Sequence, residues 1–402
     1  MKISKKVQEI PPSGIREFFD LVLGMKDVIS LGVGEPDFVT PWNICESAIF
    51  SIEKGYTSYT SNKGLYELRS QVSKSIYGKY GVDYDPEDQV LITTGVSEGL
   101  DLVVRALVNP GDKVLIPVPC YVSYYPVVFL AGATPVFVDT HETGFRLTPG
   151  LVEKHISKDA CPVRNTELSK QGRKISNGVR AIIFNYPSNP TGVSYSKKEL
   201  LALSKVFIKN DLAVVSDETY GELTYDFPHT LLSSLKGMKE RTIYLDGFSK
   251  AFAMTGWRVG YACGPKDIIG GMTKIHQYTM LCAPIMGQMA GIEALKGGSR
   301  YVAEMKREYK RRREFIVERL NEIGLVCPKP EGAFYVFFSI KNTGMDCLEF
   351  AKKLLKQERV AVVPGTAFWP QGKYYIRISY ASNMSDLKEA CLRIERFLKK
   401  NA

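Results

Sequence analysis

Between residues 89 and 264 the chain repeats one arrangement, a short apolar run rich in β-branched residues followed by a connection and another such run. QVLITT at 89–94, VLIPVP at 114–119, TPVFVD at 134–139, AIIFNYP at 181–187, LAVVSDE at 212–218, TIYLDGF at 242–248 and VGYACG at 259–264 all have strand length. Most are apolar at consecutive rather than alternate positions, as expected of strands covered on both faces. Helical patterns or long connections separate most of them. The expectation is an α/β fold: three layers, with a mostly parallel central sheet between helices. Ligands in such sheets bind outside the carboxyl ends of the strands, and Asn189, Asp217 and Lys250 follow the ends of three runs.

The C-terminal part has a different texture. A long helix is expected over 284–320, then strand-like GAFYVFFSI at 332–340, VAVVPG at 360–365 and YYIRISYA at 374–381, with helices at 346–357 and 385–400. This reads as a smaller α+β domain. The expected division is an N-terminal arm and start of the small domain at 1–40, a large domain at 41–290 and the small domain at 291–402. The charge run Lys306 to Arg313 lies above an apolar stripe and reads as a solvated helix face, and the hydrophilic insertion at 161–178 as a surface loop.

Composition excludes several classes. A net charge of +10 suits anionic small molecules, and no zinc-finger spacing or RNA-binding signature accompanies it, so no nucleic-acid partner is expected. Eight scattered cysteines form no CxxC pair and no short Cys/His ligand set, which points to reduced thiols and no metal. No stretch reaches 18 uninterrupted apolar residues, so no membrane partner is expected and the cytoplasm is the expected location.

The chemistry concentrates in FSKAFAMTGWRVG at 248–260. Lys250 sits just past a strand, Ser249 precedes it, and Arg258 follows eight residues later between two glycines. Such a loop sets an amine near a guanidinium, an arrangement suited to an anionic cofactor bound covalently through the amine. A lone lysine after a strand is ordinarily a solvated charge, Asp217 alone a strand terminator, Asn189 a turn residue, Tyr121 or Tyr59 a core aromatic and Arg377 a surface charge. Their joint occurrence in one order overturns those readings.

The segment resembles the lysine motif of the class I and II aminotransferases, the fold-type I pyridoxal phosphate enzymes. The resemblance extends through NYPSNPTG at 185–192, SDETY at 216–220, TTGVSEGL at 93–100 and RISYA at 377–381, with GEPDF, YTSNKGLYELR and EGAFYVF between and around them. It implies that Lys250 carries pyridoxal 5'-phosphate as a Schiff base. It further implies that Asp217 faces the pyridine nitrogen, that Asn189 and Tyr220 bond the ring's phenolic oxygen, and that Tyr121 stacks on the ring. Gly95, Val96, Ser97, Ser249 and Arg258 would hold the phosphate, with Tyr59 reaching it from the neighbouring subunit of a homodimer. Arg377 would grip the substrate α-carboxylate, with Gly34 and Asn189 beside it and Ile15 as an apolar plug. Lys250, Asp217 and Tyr220 are the expected catalytic residues.

The implied function is ping-pong transfer of an amino group from an L-amino acid to a 2-oxo acid. The pattern is nearest the aromatic, aspartate and N-acetyl-diaminopimelate subgroup. Ser97 stands where some aspartate-type relatives carry a lysine, which favours broad, aromatic or diaminopimelate-pathway specificity over strict aspartate use. Aspartate aminotransferase, or a C–S lyase or synthase on the same scaffold, is the alternative. An aminotransferase-like regulator needs a DNA-binding unit, for which the residues ahead of Pro11 are too few. Gly247 stands where many relatives carry a serine.

Overall fold

The computed structural model describes residues 2–12, 25–158 and 178–401. Its strands are β1 (Ile29–Ser30), β2 (Val90–Thr93), β3 (Lys113–Val118), β4 (Thr134–Asp139), β5 (Val179–Asn185), β6 (Ala213–Asp217), β7 (Thr242–Gly247), β8 (Gly260–Cys263), β9 (Tyr335–Ser339), β10 (Val360–Ala361), β11 (Val363–Pro364) and β12 (Tyr375–Ser379). The seven apolar runs form one sheet in the order β2-β8-β7-β6-β5-β3-β4. Strands β7, β6, β5, β3 and β4 are parallel, and β8 runs antiparallel to both β7 and β2. The architecture is therefore α/β with a mixed, mostly parallel sheet. Both faces are covered: β2 and β8 are buried at every position, whereas the edge strand β4 is exposed at three of its six.

A second, antiparallel sheet of order β11-β12-β9 carries Arg377 on its central strand, opposite Phe337 of β9. The N-terminal β1 pairs in parallel with β10, and Ser379 N–H donates to Leu31 O at 2.7 Å. The segment after β1 is thereby held against the end of β12, so that Gly32 O lies at the Arg377 guanidinium.

Two sequence expectations change, and one helix was not expected. The single helix over 284–320 is two, Ile285–Gly297 and Ser299–Glu322, with Gly298 at the junction, where a Cβ would lie 2.5 Å from both Ala294 O and the Phe252 ring. The unexpected helix, Trp42–Glu53, is apolar on its outer side too, with Trp42, Ile49, Phe50 and Ile52 exposed, which blurs an amphipathic pattern. The charge run at 306–313 is no solvated face throughout: Arg312 and Arg313 are 6% and 0% exposed. Arg312 donates to both oxygens of Asp37 at 2.8 Å; Arg313 donates to Asp226 at 2.6 and 2.8 Å and to Pro330 O at 2.7 Å. The pattern shows which positions are charged but not that Asp37 and Asp226, from distant segments, each face one of these two arginines. The expected plug Ile15 and nearly all of the insertion at 161–178 lie outside the described residues.

Candidate active site

The site forms where β5, β6 and β7 end. Asp217, the last residue of β6, is 6% exposed; its Oδ2 accepts from the Tyr124 hydroxyl at 2.7 Å and its Oδ1 from Thr219 N–H at 3.3 Å. Burial pushes this carboxyl above its ordinary range, and the two donors pull it back. Asn185, opposite Asp217 in the β5–β6 register, donates to Asp217 O at 2.8 Å and accepts from Asn189 N–H at 2.9 Å. The backbone of the Asn-Pro turn is thus tied to the end of β6.

Lys250 lies on the short helix Phe248–Ala251 that follows β7. Its Nζ donates to Gly34 O at 2.6 Å and lies 5.9 Å from the Tyr220 ring centre and 5.8 Å from that of Phe334. Burial lowers this amine to about 8; Arg377 and Arg258 push the same way, while Glu35 and Asp217 oppose it. The amine is therefore far easier to deprotonate than a surface lysine, as a base or nucleophile requires.

Beside it, Gly95 (φ 75°) precedes the helix Val96–Leu107, whose start no side chain caps. A Cβ on Gly95 would lie 2.6 Å from Arg258 Nη2, so the guanidinium rests directly on the bare glycine. Arg258 has a left-handed φ of 56° and bonds Thr255 O at 3.1 Å. A helix N-terminus with free N–H groups under a guanidinium is built for an anion. Ser97 in the first turn is exposed, and Ser249 is half-buried.

Arg377 is 2% exposed. Its Nη1 donates to Asn189 Oδ1 at 2.9 Å and its Nη2 to Gly32 O at 2.5 Å, while the buried Nε has no partner. The guanidinium lies 4.5 Å from the Tyr335 ring centre and 4.7 Å from that of Phe368. A buried donor without an acceptor is costly, and a carboxylate is the natural complement of a guanidinium edge. The Tyr220 and Tyr335 hydroxyls are 2.9 Å apart.

Aminotransferase class I and II is the family whose model matches this chain, over residues 26–394. The chain is 50% identical to a putative aminotransferase, YugH, of Bacillus subtilis over 99% of this chain and 98% of that one. It is 40% identical to the aromatic-amino-acid aminotransferase 2 of Thermococcus litoralis over 99% of each. The solved aspartate aminotransferase of Thermus thermophilus with maleate superposes with a TM-score of 0.89 at 33% identity, covering 99% of this chain and 100% of that one.

The chain belongs to the class I and II aminotransferases. It is a pyridoxal phosphate-dependent enzyme of fold type I, acting on amino and 2-oxo acids. The aminotransferase's own residues fit that cofactor. An easily deprotonated lysine, a buried carboxylate and a glycine-based anion cradle converge at one end of the sheet, and the unpartnered Nε of Arg377 suits an anion. Of the expected site residues, Gly34, Asn189, Asp217, Tyr220, Lys250 and Arg377 are linked by the contacts given above, and Gly95, Val96 and Arg258 form the cradle. Tyr121 packs edge-on against Tyr124 with ring centres 5.7 Å apart. Tyr59 is 83% exposed and leaves its ring in solvent.

Reading the sequence alone missed Tyr124, Asn185, Phe334, Tyr335 and Phe368 as site residues. Tyr124 stands three positions after Tyr121 in PCYVSYY, and Asn185 opens the Asn-Pro motif. Those spacings were available as signals. Phe368 had none, because only the folding of 365–375 beside β12 brings it to Arg377.

Proposed function

We propose that this aminotransferase accepts amino donors broadly, with aromatic side chains among the good ones, and that Lys250, Asp217 and Tyr220 carry the reaction. The observation that weighs most is the aromatic wall around the substrate arginine: the Arg377 guanidinium lies within 4.7 Å of the Tyr335 and Phe368 ring centres, and the Lys250 amine sits near the rings of Tyr220 and Phe334. Apolar, flat surfaces favour aromatic and aliphatic side chains. At the cradle Ser97 offers a hydroxyl and no cation for a second carboxylate. The similarity to the aromatic-amino-acid enzyme of Thermococcus litoralis points the same way, and the 39% identity to a probable N-acetyl-LL-diaminopimelate aminotransferase of Bacillus subtilis keeps that donor class within the test.

In this reading Arg377 and Asn189 orient the substrate carboxylate, with Gly34 leaving room for it. Lys250 Nζ, once free of its covalent role, would take up the substrate's α-proton and carry it across the nitrogen being transferred to the cofactor side. Bound pyridoxal phosphate supplies an electron sink for the charge left on the α-carbon. Asp217, held by Tyr124, keeps the ring nitrogen protonated; Tyr220 and Asn189 bond the phenolic oxygen; Tyr121 covers the ring. Gly95, Val96, Ser97, Ser249 and Arg258 hold the phosphate.

Tyr59 would complete the phosphate site of a second subunit in a homodimer. Its exposure is shared by Val39 (88%), Trp42 (68%) and Tyr278 (86%), large apolar groups that association would cover. The expected division at residues 40 and 290 is kept as part of this reading, supported by the return of the N-terminal segment to pair with β10. Among the described residues no helix is long and apolar enough to cross a membrane. The seven free cysteines in the described residues support placement in the reducing cytoplasm.

The deciding experiment is a donor panel run as half-reactions against cofactor absorbance, with phenylalanine, tyrosine, leucine, aspartate, glutamate and an N-acyl-diaminopimelate. Aromatic kcat/KM at or above the aspartate value supports the proposal. Strict preference for a dicarboxylic donor, or release of ammonia or a thiol in place of transfer, overturns it.

A further inference from the structure

We propose that Tyr335 is a positioning residue that serves both halves of the site, directing the Tyr220 hydroxyl with its own and seating Arg377 on its ring. This rests on the assignment of Lys250, Tyr220 and Arg377 to the pyridoxal phosphate reaction made above. Tyr335 is the first residue of β9, 1% exposed, and three contacts fix it. Its hydroxyl is 2.9 Å from that of Tyr220, its ring centre is 4.5 Å from the Arg377 guanidinium, and the two tyrosine rings meet edge to face at 5.7 Å. A Cβ on Gly34 would lie 2.6 Å from the Tyr335 oxygen, so the residue whose carbonyl holds Lys250 also bounds this hydroxyl.

The direction of the hydrogen bond follows from counting donors. Tyr220 has one O–H. If that hydrogen is given to the cofactor's phenolic oxygen, Tyr220 can only accept from Tyr335, so the Tyr335 O–H donates to the Tyr220 oxygen. A hydroxyl that accepts one hydrogen bond donates a stronger one. Tyr335 thereby strengthens the bond that stabilises negative charge on the phenolic oxygen, which in turn lowers the proton affinity of the linkage to Lys250. The charged and titratable groups facing the pair are Arg377, Tyr121 and Glu35 around Tyr335, with Arg377 and Asp217 around Tyr220. The ring acts separately. It gives the guanidinium an aromatic face within its apolar surroundings, while the buried Nε keeps no protein partner.

Two substitutions divide the roles. Tyr335→Phe keeps the ring and removes the hydroxyl; Tyr335→Leu removes both. In the purified holoenzyme the pH midpoint of the visible cofactor absorbance should rise by about half a unit to one unit in Tyr335→Phe, with kcat falling more than KM rises. The dissociation constant of an unreactive monocarboxylate, 3-phenylpropionate, should rise about tenfold in Tyr335→Leu and clearly less in Tyr335→Phe. A midpoint in Tyr335→Phe equal to wild type overturns the hydrogen-bond role. Equal loss of 3-phenylpropionate binding in both variants, or none in Tyr335→Leu, overturns the ring's role. Should Tyr335→Leu not fold, the Phe variant still decides the first. Failure of the underlying assignment looks different: Lys250→Ala would then keep the wild-type absorbance.

Discussion

Arg377 donates from Nη1 to Asn189 Oδ1 at 2.9 Å, across 188 positions of sequence. One residue belongs to the central strand of the C-terminal sheet, the other to the turn after β5, so the proposed carboxylate anchor and a proposed partner of the cofactor oxygen are locked together. Arg377→Lys keeps the charge but loses the planar fork. Its kcat/KM should fall on the order of a hundredfold, mostly through KM. The shared bond also predicts that Asn189→Ala raises KM for amino acids, not only the dissociation constant of the cofactor. Steady-state kinetics at saturating pyridoxal phosphate check both.

Lys250 carries a stability cost of its own in the cofactor-free protein. Its amine is held at about 8, below the ordinary value of 10.5, so the folded chain binds fewer protons than the unfolded one between those values. The cost is present in full below about pH 8 and disappears as pH rises toward 10.5. Apo Lys250→Met should therefore be more stable than apo wild type at pH 7, by up to about 3 kcal/mol. The gap should shrink to under about 1 kcal/mol by pH 10, and denaturant melts at the two pH values measure it. The same variant should show no turnover and no borohydride-trapped adduct.

The absence of a serine at position 247 has a packing cause. A Cβ on Gly247 would lie 2.8 Å from Gly260 Cα and 3.0 Å from Val259 O, and one on Gly260 would lie 2.7 Å from Val96 N in the anion cradle. These two glycines pair across β7 and β8. Gly247→Ser should cost about 1–3 kcal/mol and weaken cofactor binding, not strengthen it. Thermal unfolding and a pyridoxal phosphate titration give the sign.

Arg313 and Lys310 lie in the same charge run and should behave in opposite ways. Arg313 is fully buried and paired with Asp226, and its guanidinium lies 4.7 Å from the Tyr225 ring centre. Arg313→Ala should cost about 2–3 kcal/mol, because it strips the ion pair and leaves Pro330 O without its donor. Lys310 is exposed, and Lys310→Ala should stay within about 0.5 kcal/mol of wild type in urea melts.

Much of the site was legible because its chemistry depends on residues close to strand ends. Asn189, Asp217 and Lys250 each follow an apolar run, and a parallel sheet brings such ends side by side whatever the connections do. Gly95 and Arg258 were legible for a related reason: a glycine turn before a helix and an arginine between glycines are local devices. Local sequence, read as strand, turn and helix, therefore determined the α/β architecture and the strand-end positions of the proposed reactive lysine and of the glycine–arginine cradle.

Tertiary structure decided what local sequence does not encode. Whether a charge is buried depends on what faces it, so Arg312 and Arg313 became distinguishable from Lys310 only when Asp37 and Asp226 arrived from distant segments. The depressed amine of Lys250 required the burial that the returning N-terminal segment and the C-terminal sheet help to provide. Tyr335, Phe368 and the unpartnered Nε of Arg377 gained meaning only when β9 and β12 closed over the end of the large sheet. Strand pattern sets which residues reach an edge; desolvation and hydrogen-bond partners, which are long-range, set what they do there.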